Sequence, residues 1–142
     1  MRALTELKKE CMKRLDQYNI ECYICDEFRP KRLLLHHLSY YDNSVTYNQF
    51  RNDDVGRLQY YSSLIDEVEY HNDNFRILCI NCHTIVEKLI KLPTHERQNF
   101  LHDRPRGLGF DRICEDTINA KKDRELEKLG VKTTGLNEFF WS

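Results

Sequence analysis

Two short cysteine pairs, Cys22/Cys25 and Cys79/Cys82, constrain this chain more than any other feature. Each is a CxxC knuckle, which presents two thiolates on one tight turn at the right bite for a single Zn²⁺ ion. A second knuckle completes a tetrahedral Cys₄ site and closes it to solvent. The pairs are separated by 53 residues (26–78), so a shared zinc would pin distant segments together. With 142 residues, 40% of them hydrophobic and 32% charged, the chain suits a single domain around one modest core. A structural metal contributes on the order of 10 kcal/mol to the folding of such small units. Cys11 and Cys114 stand alone and read as small buried hydrophobes.

The second knuckle runs directly into a histidine, in "CINCH", and three chemistries share that spelling. CxxCH is the haem c attachment signature, CxxC alone is a redox or zinc knuckle, and the histidine can be a catalytic metal ligand. Haem attachment requires export. The opening "MRALTELKKECMKRL" breaks its apolar residues with charge and holds no run long enough for a signal peptide or a membrane span. An intracellular, cytoplasmic protein with no haem and no membrane association is expected. In that reducing compartment metal binding explains the cysteines better than disulfides do. Neither CxxC follows a strand into a βαβ unit, as a thioredoxin-type pair would.

Periodicity places the remaining elements. Leu4, Leu7, Cys11, Leu15 and Tyr18 recur at three- and four-residue steps, predicting an amphipathic helix over 5–17. "LLLHHLSYY" reads as a buried strand ending at His36 and His37, followed by a loop, "DNSVTYNQFRNDD". "GRLQYYSSLIDEVEY" predicts a helix that buries Leu58, Tyr61, Leu64, Ile65 and Val68 and turns its acids outward. "NFRILC" is a short strand and "HTIVEKLIKL" a helix stopped by Pro93. Thr94 then caps a short helix, "DRPRGLGF" is a basic loop, and a charged helix ends at Gly130. The aromatic tail "LNEFFWS" reads as a terminus docked on the core. The expected class is α+β.

Net charge is −1, but residues 42–74 carry 2 Lys/Arg against 7 Asp/Glu, a local −5. That insert would repel a polyanion, and it is assigned to packing or to a protein partner. Nucleic-acid contacts are expected instead from Arg29, Lys31 and Arg32, from Lys88 and Lys91, and from Arg104 and Arg106. His71, His95 and His102 lie in polar surroundings and read as solvated. His36 and His37 differ, because adjacent strand residues face opposite sides, so one can bind a metal while the other acts elsewhere.

Taken in order, Cys22-x-x-Cys25, "LLLHHLSY" with His36-His37, "NFRILC" with Asn74, and Cys79-x-x-Cys82-His83 resemble the HNH endonuclease family in its zinc-stapled, HH form. The resemblance covers roughly residues 20–92. It implies a ββα-metal, treble-clef-like core with an acidic helical insert at about 42–73, flanked by an N-terminal helix (1–19) and a helical C-terminal extension (93–142). It also implies roles. His37 matches the general base, and His36 stands where most members carry an Asp metal ligand. His83 matches the ligand on the last helix, and Asn74 matches the central Asn that ties loop to hairpin. Many members carry a second His one turn after the first, where this chain has Glu87, a candidate third ligand.

The implied activity is hydrolysis of DNA phosphodiester bonds with two kinds of metal. One is a structural zinc on the four cysteines. The other is a catalytic divalent cation, Mn²⁺, Mg²⁺, Ni²⁺ or Zn²⁺, with the softer ions favoured by His in place of Asp. Cutting both strands with one site per chain would call for a homodimer. The alternative is a non-catalytic zinc-stapled module that binds nucleic acid or protein. Such a module needs the cysteines but has no requirement for His36, His37 and His83 together.

Overall fold

The computed structural model describes residues 2–16, 18–41 and 44–130. Their order is α1 (Arg2–Leu15), β1 (Leu33–His37), α2 (Asp54–Tyr70), β2 (Phe75–Cys79), α3 (Ile80–Leu89), α4 (Thr94–Leu101) and α5 (Gly107–Lys128), with short 3₁₀ turns before β1, α2 and β2. The class is α+β. The "LNEFFWS" tail lies outside the described residues.

β1 and β2 pair antiparallel, with Leu33 opposite Cys79, Leu34 opposite Leu78, Leu35 opposite Ile77, His36 opposite Arg76 and His37 opposite Phe75. A two-stranded sheet is marginal in water by itself. Here both strands are buried at four of five positions, because helices pack around them. Leu33, Leu64, Leu78, Val86 and Ile113, from β1, α2, β2, α3 and α5, are all fully buried in one hydrophobic cluster. Cys79 at one end and His36 and His37 at the other thus sit on the same rigid hairpin.

α1 buries Cys11 and Met12 completely and rests Leu4, Leu7 and Leu15 against the core, packing on α2. Tyr18 is not on that face; it follows the helix end and is 84% exposed. Asp53 caps α2, its carboxylate accepting from the Gly56 N–H at 2.8 Å. The inward face of α2 is Tyr60, Tyr61, Leu64, Val68 and, against expectation, Glu67. Leu58 and Ile65 are only partly buried.

α1 and α2 begin earlier than expected, at Arg2 instead of residue 5 and at Asp54 instead of Gly56, and three further helix starts differ for reasons their caps show. α3 begins at Ile80, not at His83, because the Cys79 thiol itself caps the helix by accepting from the Cys82 N–H at 3.3 Å. α4 is capped by Pro93 and makes no side-chain cap bond, so Thr94 is the first helical residue instead of the cap. α5 begins at Gly107, inside the stretch predicted as loop. Only glycine fits there, since a Cβ would lie 2.4 Å from the Leu101 carbonyl oxygen. Gly130 does lie at the end of α5, at φ +83°.

Arg97 locks α4 to α5. It is fully buried and pairs with Asp111 at 3.0 Å and with Glu115. Replacing it leaves two acids without their cation and a void beneath α5. Arg97→Ala should therefore destabilise the fold by about 3 kcal/mol, read as a lower urea midpoint.

Candidate metal centres and active site

The two knuckles meet at the cysteine end of the hairpin. The first is a turn in which the Cys22 N–H donates to the Glu27 carbonyl at 2.7 Å and Asp26 takes the left-handed conformation at φ 64°, which Asp tolerates better than most residues. The Tyr23 N–H donates to the Ile77 carbonyl at 2.7 Å and ties this turn to β2. The second knuckle is the end of β2 and the first turn of α3. All four sulfur atoms lie within 4.8 Å of one another, and Cys25 and Cys79 are 3.5 Å apart. Burial first, and then the neighbouring sulfurs, push the Cys82 thiol far above its ordinary value. Three buried thiols and the half-buried Cys25 converging on one point, with N–H groups aimed at Cys22 and Cys79, make a donor set suited to a tetrahedral cation.

At the other end of the hairpin, His36, His83 and Glu87 also gather their ligand atoms within 4.8 Å. His83 and Glu87 are one turn apart on α3 and come within 3.5 Å, while His36 Nδ1 lies 3.8 Å from Glu87. The orientation of His36 has a traceable cause. The Thr117 hydroxyl on α5 donates to the Ile113 carbonyl at 2.7 Å, so its proton is spent. Its 3.0 Å contact with His36 Nε2 therefore has the imidazole as donor. The Nδ1 lone pair is left facing Glu87 and His83. Burial, reinforced by His83, His37, Lys121 and Arg76, pushes the His36 pKa down to about 3. Burial also lowers that of His83, with Glu87 opposing it. Both rings are thus neutral near physiological pH, the state in which imidazole binds metal.

His37 faces the opposite side, as neighbouring strand residues must. Its Nε2 is 3.0 Å from Glu67 Oε2, and its ring lies between Tyr40 and Phe75, with centroids at 4.6 and 4.5 Å. Burial pushes the Glu67 carboxyl up, but the hydrogen bonds from His37, the Val45 N–H and Ser44 outweigh it and hold Glu67 below the usual carboxylate range. A cleft of about 140 Å³, lined by His37, His83, Tyr40, Val45 and Tyr60 among others, brings the two histidine positions onto one opening. Asn74 closes the loop after β1. Its Oδ1 accepts from the Ser39 N–H at 3.1 Å and the Ser39 hydroxyl at 2.9 Å, and its Nδ2 donates to the Ser39 carbonyl at 2.8 Å.

The chain matches no protein-family model, no curated protein and no solved structure. What it can do has to come from the geometry.

The cations expected to meet nucleic acid fall in several places. Arg29 and Arg32 both pair with Glu27, at 2.8 and 3.1 Å, and precede Leu33 at the cysteine end. At about 3.3 Å per strand residue Leu33 is already roughly 13 Å along β1 from His37, and the arginines lie before it. Lys31, Lys88 and Lys91 are exposed. Arg104 stacks on Phe100 at 4.0 Å and donates to its carbonyl at 2.7 Å, and Arg106 precedes α5 in the left-handed conformation. Arg76 and Lys121, absent from that set, are the cations whose charge is felt at His36. Among the histidines read as solvated, His71 instead stacks on Tyr41 at 3.9 Å. No helix among the described residues is long and apolar enough to cross a membrane.

Glu67 and Thr117 are the contacts that pattern reading missed. Glu67 leaves one sequence trace, an acid three residues after Leu64 and one before Val68 on the buried stripe of α2. Thr117 leaves none beyond a four-residue step from Ile113.

Two outcomes follow from these contacts. Cys82→Ser should lose bound metal, by atomic absorption, together with helical circular dichroism, whereas His37→Ala should keep both. Asn74→Ala removes three hydrogen bonds and strands the buried Ser39 N–H, which should cost about 2–3 kcal/mol in a denaturant titration.

Proposed function

We propose that this protein is a metal-dependent endonuclease of the HNH type that hydrolyses DNA phosphodiester bonds, with a structural zinc on Cys22, Cys25, Cys79 and Cys82. The observation that carries the reading is the division of roles between adjacent histidines. His36 turns its free nitrogen to His83 and Glu87, while His37 is held on the other side by a carboxylate. A zinc-stapled binding module has no use for either arrangement.

His36, His83 and Glu87 would hold the catalytic cation, with water and a phosphate oxygen filling its remaining positions. A divalent ion there supplies charge neutralisation at the phosphorane and at the departing 3′ oxygen. His37 takes the proton of the attacking water; imidazole suits that task because its ordinary pKa lies close to neutral pH. Asn74 holds the loop that follows His37 and so keeps the ring at the cleft. Lys121, Lys88 and Lys91 would meet the phosphates flanking the scissile bond, while Arg76, held by the Asp73 and Phe75 carbonyls and 3.8 Å from Asp116, adds positive charge beside His36. The acidic outer face of α2 is turned from DNA, and two copies of the chain would cut both strands.

Purified protein incubated with supercoiled plasmid and Mn²⁺ should convert it to nicked or linear form. His37→Ala should lower the rate by about 10²–10⁴-fold while retaining zinc. Cleavage by His37→Ala at the wild-type rate sinks the general-base role. The imidazole-rich donor set should make Mn²⁺ or Ni²⁺ support more cleavage than Mg²⁺ in a metal-rescue series, and the reverse order would refute His36 as ligand.

A further inference from the structure

Glu67 belongs to the insert, whose charge argues against any contact with DNA, yet it is buried and both of its oxygens are engaged. Oε2 meets His37 Nε2 at 3.0 Å, and Oε1 accepts from the Val45 N–H at 2.6 Å. An ionised carboxylate has only lone pairs to offer, so the His37 nitrogen it meets must carry the proton. We propose that Glu67 is a positioning residue that fixes His37 as the Nε2–H tautomer, so that Nδ1 is the atom that accepts the proton of water. The activity arm of this assignment rests on the endonuclease reading; the tautomer does not.

The surroundings leave His37 little choice. Its ring is stacked on Tyr40 at an interplanar angle of 18° and tilted against Phe75 at 56°, which restrains the plane. Asn74 holds the following residue but one, Ser39, through three hydrogen bonds, which restrains the backbone. Within that frame the only freedom left is which nitrogen carries the proton, and the tautomer is set by the hydrogen bond the other nitrogen makes. Glu67 makes that bond. It also ties the loop at Val45 to His37, so one carboxylate orders both the ring and a wall of the cleft that His37 and His83 share.

Glu67→Gln separates this role from simple packing, because the side chains are almost the same shape. Glutamine has one acceptor oxygen where the carboxylate has two. The Val45 N–H is fixed in the backbone and claims that oxygen, so the amide NH₂ is directed at His37 Nε2 and demands a lone pair there. The ring then carries its proton on Nδ1, and the base is lost without loss of fold. The same logic explains why an Asp-to-Asn change beside a catalytic histidine can leave a structure intact and still abolish turnover.

The test is nitrogen-15 NMR of histidine in the full-length, zinc-loaded chain under mildly alkaline conditions, followed by plasmid cleavage. Wild-type His37 should show a protonated Nε2 and a bare Nδ1, and Glu67→Gln the reverse. In the cleavage assay Glu67→Gln should turn over about 10²–10⁴ times more slowly, with KM for DNA and zinc content unchanged. A protonated Nδ1 in the wild-type protein, or wild-type turnover by Glu67→Gln, would overturn the assignment. If the wild-type chain cuts no DNA with any divalent cation, the endonuclease reading fails by itself, and the wild-type tautomer alone decides the place of Glu67.

Discussion

Everything at the histidine end of the molecule depends on the register of one short antiparallel pair. His36 lies opposite Arg76 and His37 opposite Phe75, and because strand side chains alternate, a slip of one residue would exchange the faces of the two histidines. His36 would then meet α2 and His37 would meet α3. Five residues per strand cannot hold such a register unaided. It is pinned at one end where Leu33 pairs with Cys79, the residue that belongs at once to β2, to the thiol cluster and to the cap of α3. At the other end the Leu38 N–H donates to the Asn74 carbonyl at 2.8 Å, next to the Asn74 side-chain clamp on Ser39. The cysteine cluster therefore does more than stabilise the fold; it decides which histidine faces which way.

Two helices outside the hairpin complete the division. α5 supplies Thr117 and α2 supplies Glu67, and each meets the Nε2 of one histidine. The partners differ in kind. A hydroxyl that has already given its proton away is a neutral acceptor and leaves His36 an uncharged, deeply buried ring. A carboxylate is an anionic acceptor and stabilises positive charge if His37 gains a proton. Two side chains of identical chemistry, adjacent in sequence, are thereby made unlike by what stands behind them.

Most of the hairpin and the gathering of site residues were legible before the structure. The CxxC pairs announced convergence because their spacing has one common physical use, and the run of apolar residues ending in two histidines marked the strand and its end. Glu87 was legible too, since a four-residue step from His83 on a helix puts both on one side. Glu67 was not. An acid in a helix with an acidic outer side is read as another solvated charge, and only the tertiary partner reveals that it points inward. Helix starts were misplaced where the cap was unusual: a thiol at Cys79, a proline at Pro93, and a glycine, Gly107, that begins a helix because no side chain fits against Leu101. Tyr18 continued the helical spacing of α1 past the point where the backbone stops following it.

The buried Arg97 has a reach beyond the two helices it joins. Its partners Asp111 and Glu115 flank Ile113, whose carbonyl takes the Thr117 proton and so settles which nitrogen of His36 is bare. An ionic contact on α4 in this way braces the stretch of α5 whose Thr117 meets His36 on β1. The residues after Pro93 look in sequence like an appendage to a smaller unit. In three dimensions they carry the Thr117 hydroxyl that orients His36, and the chain cannot be divided there without changing what its first histidine is.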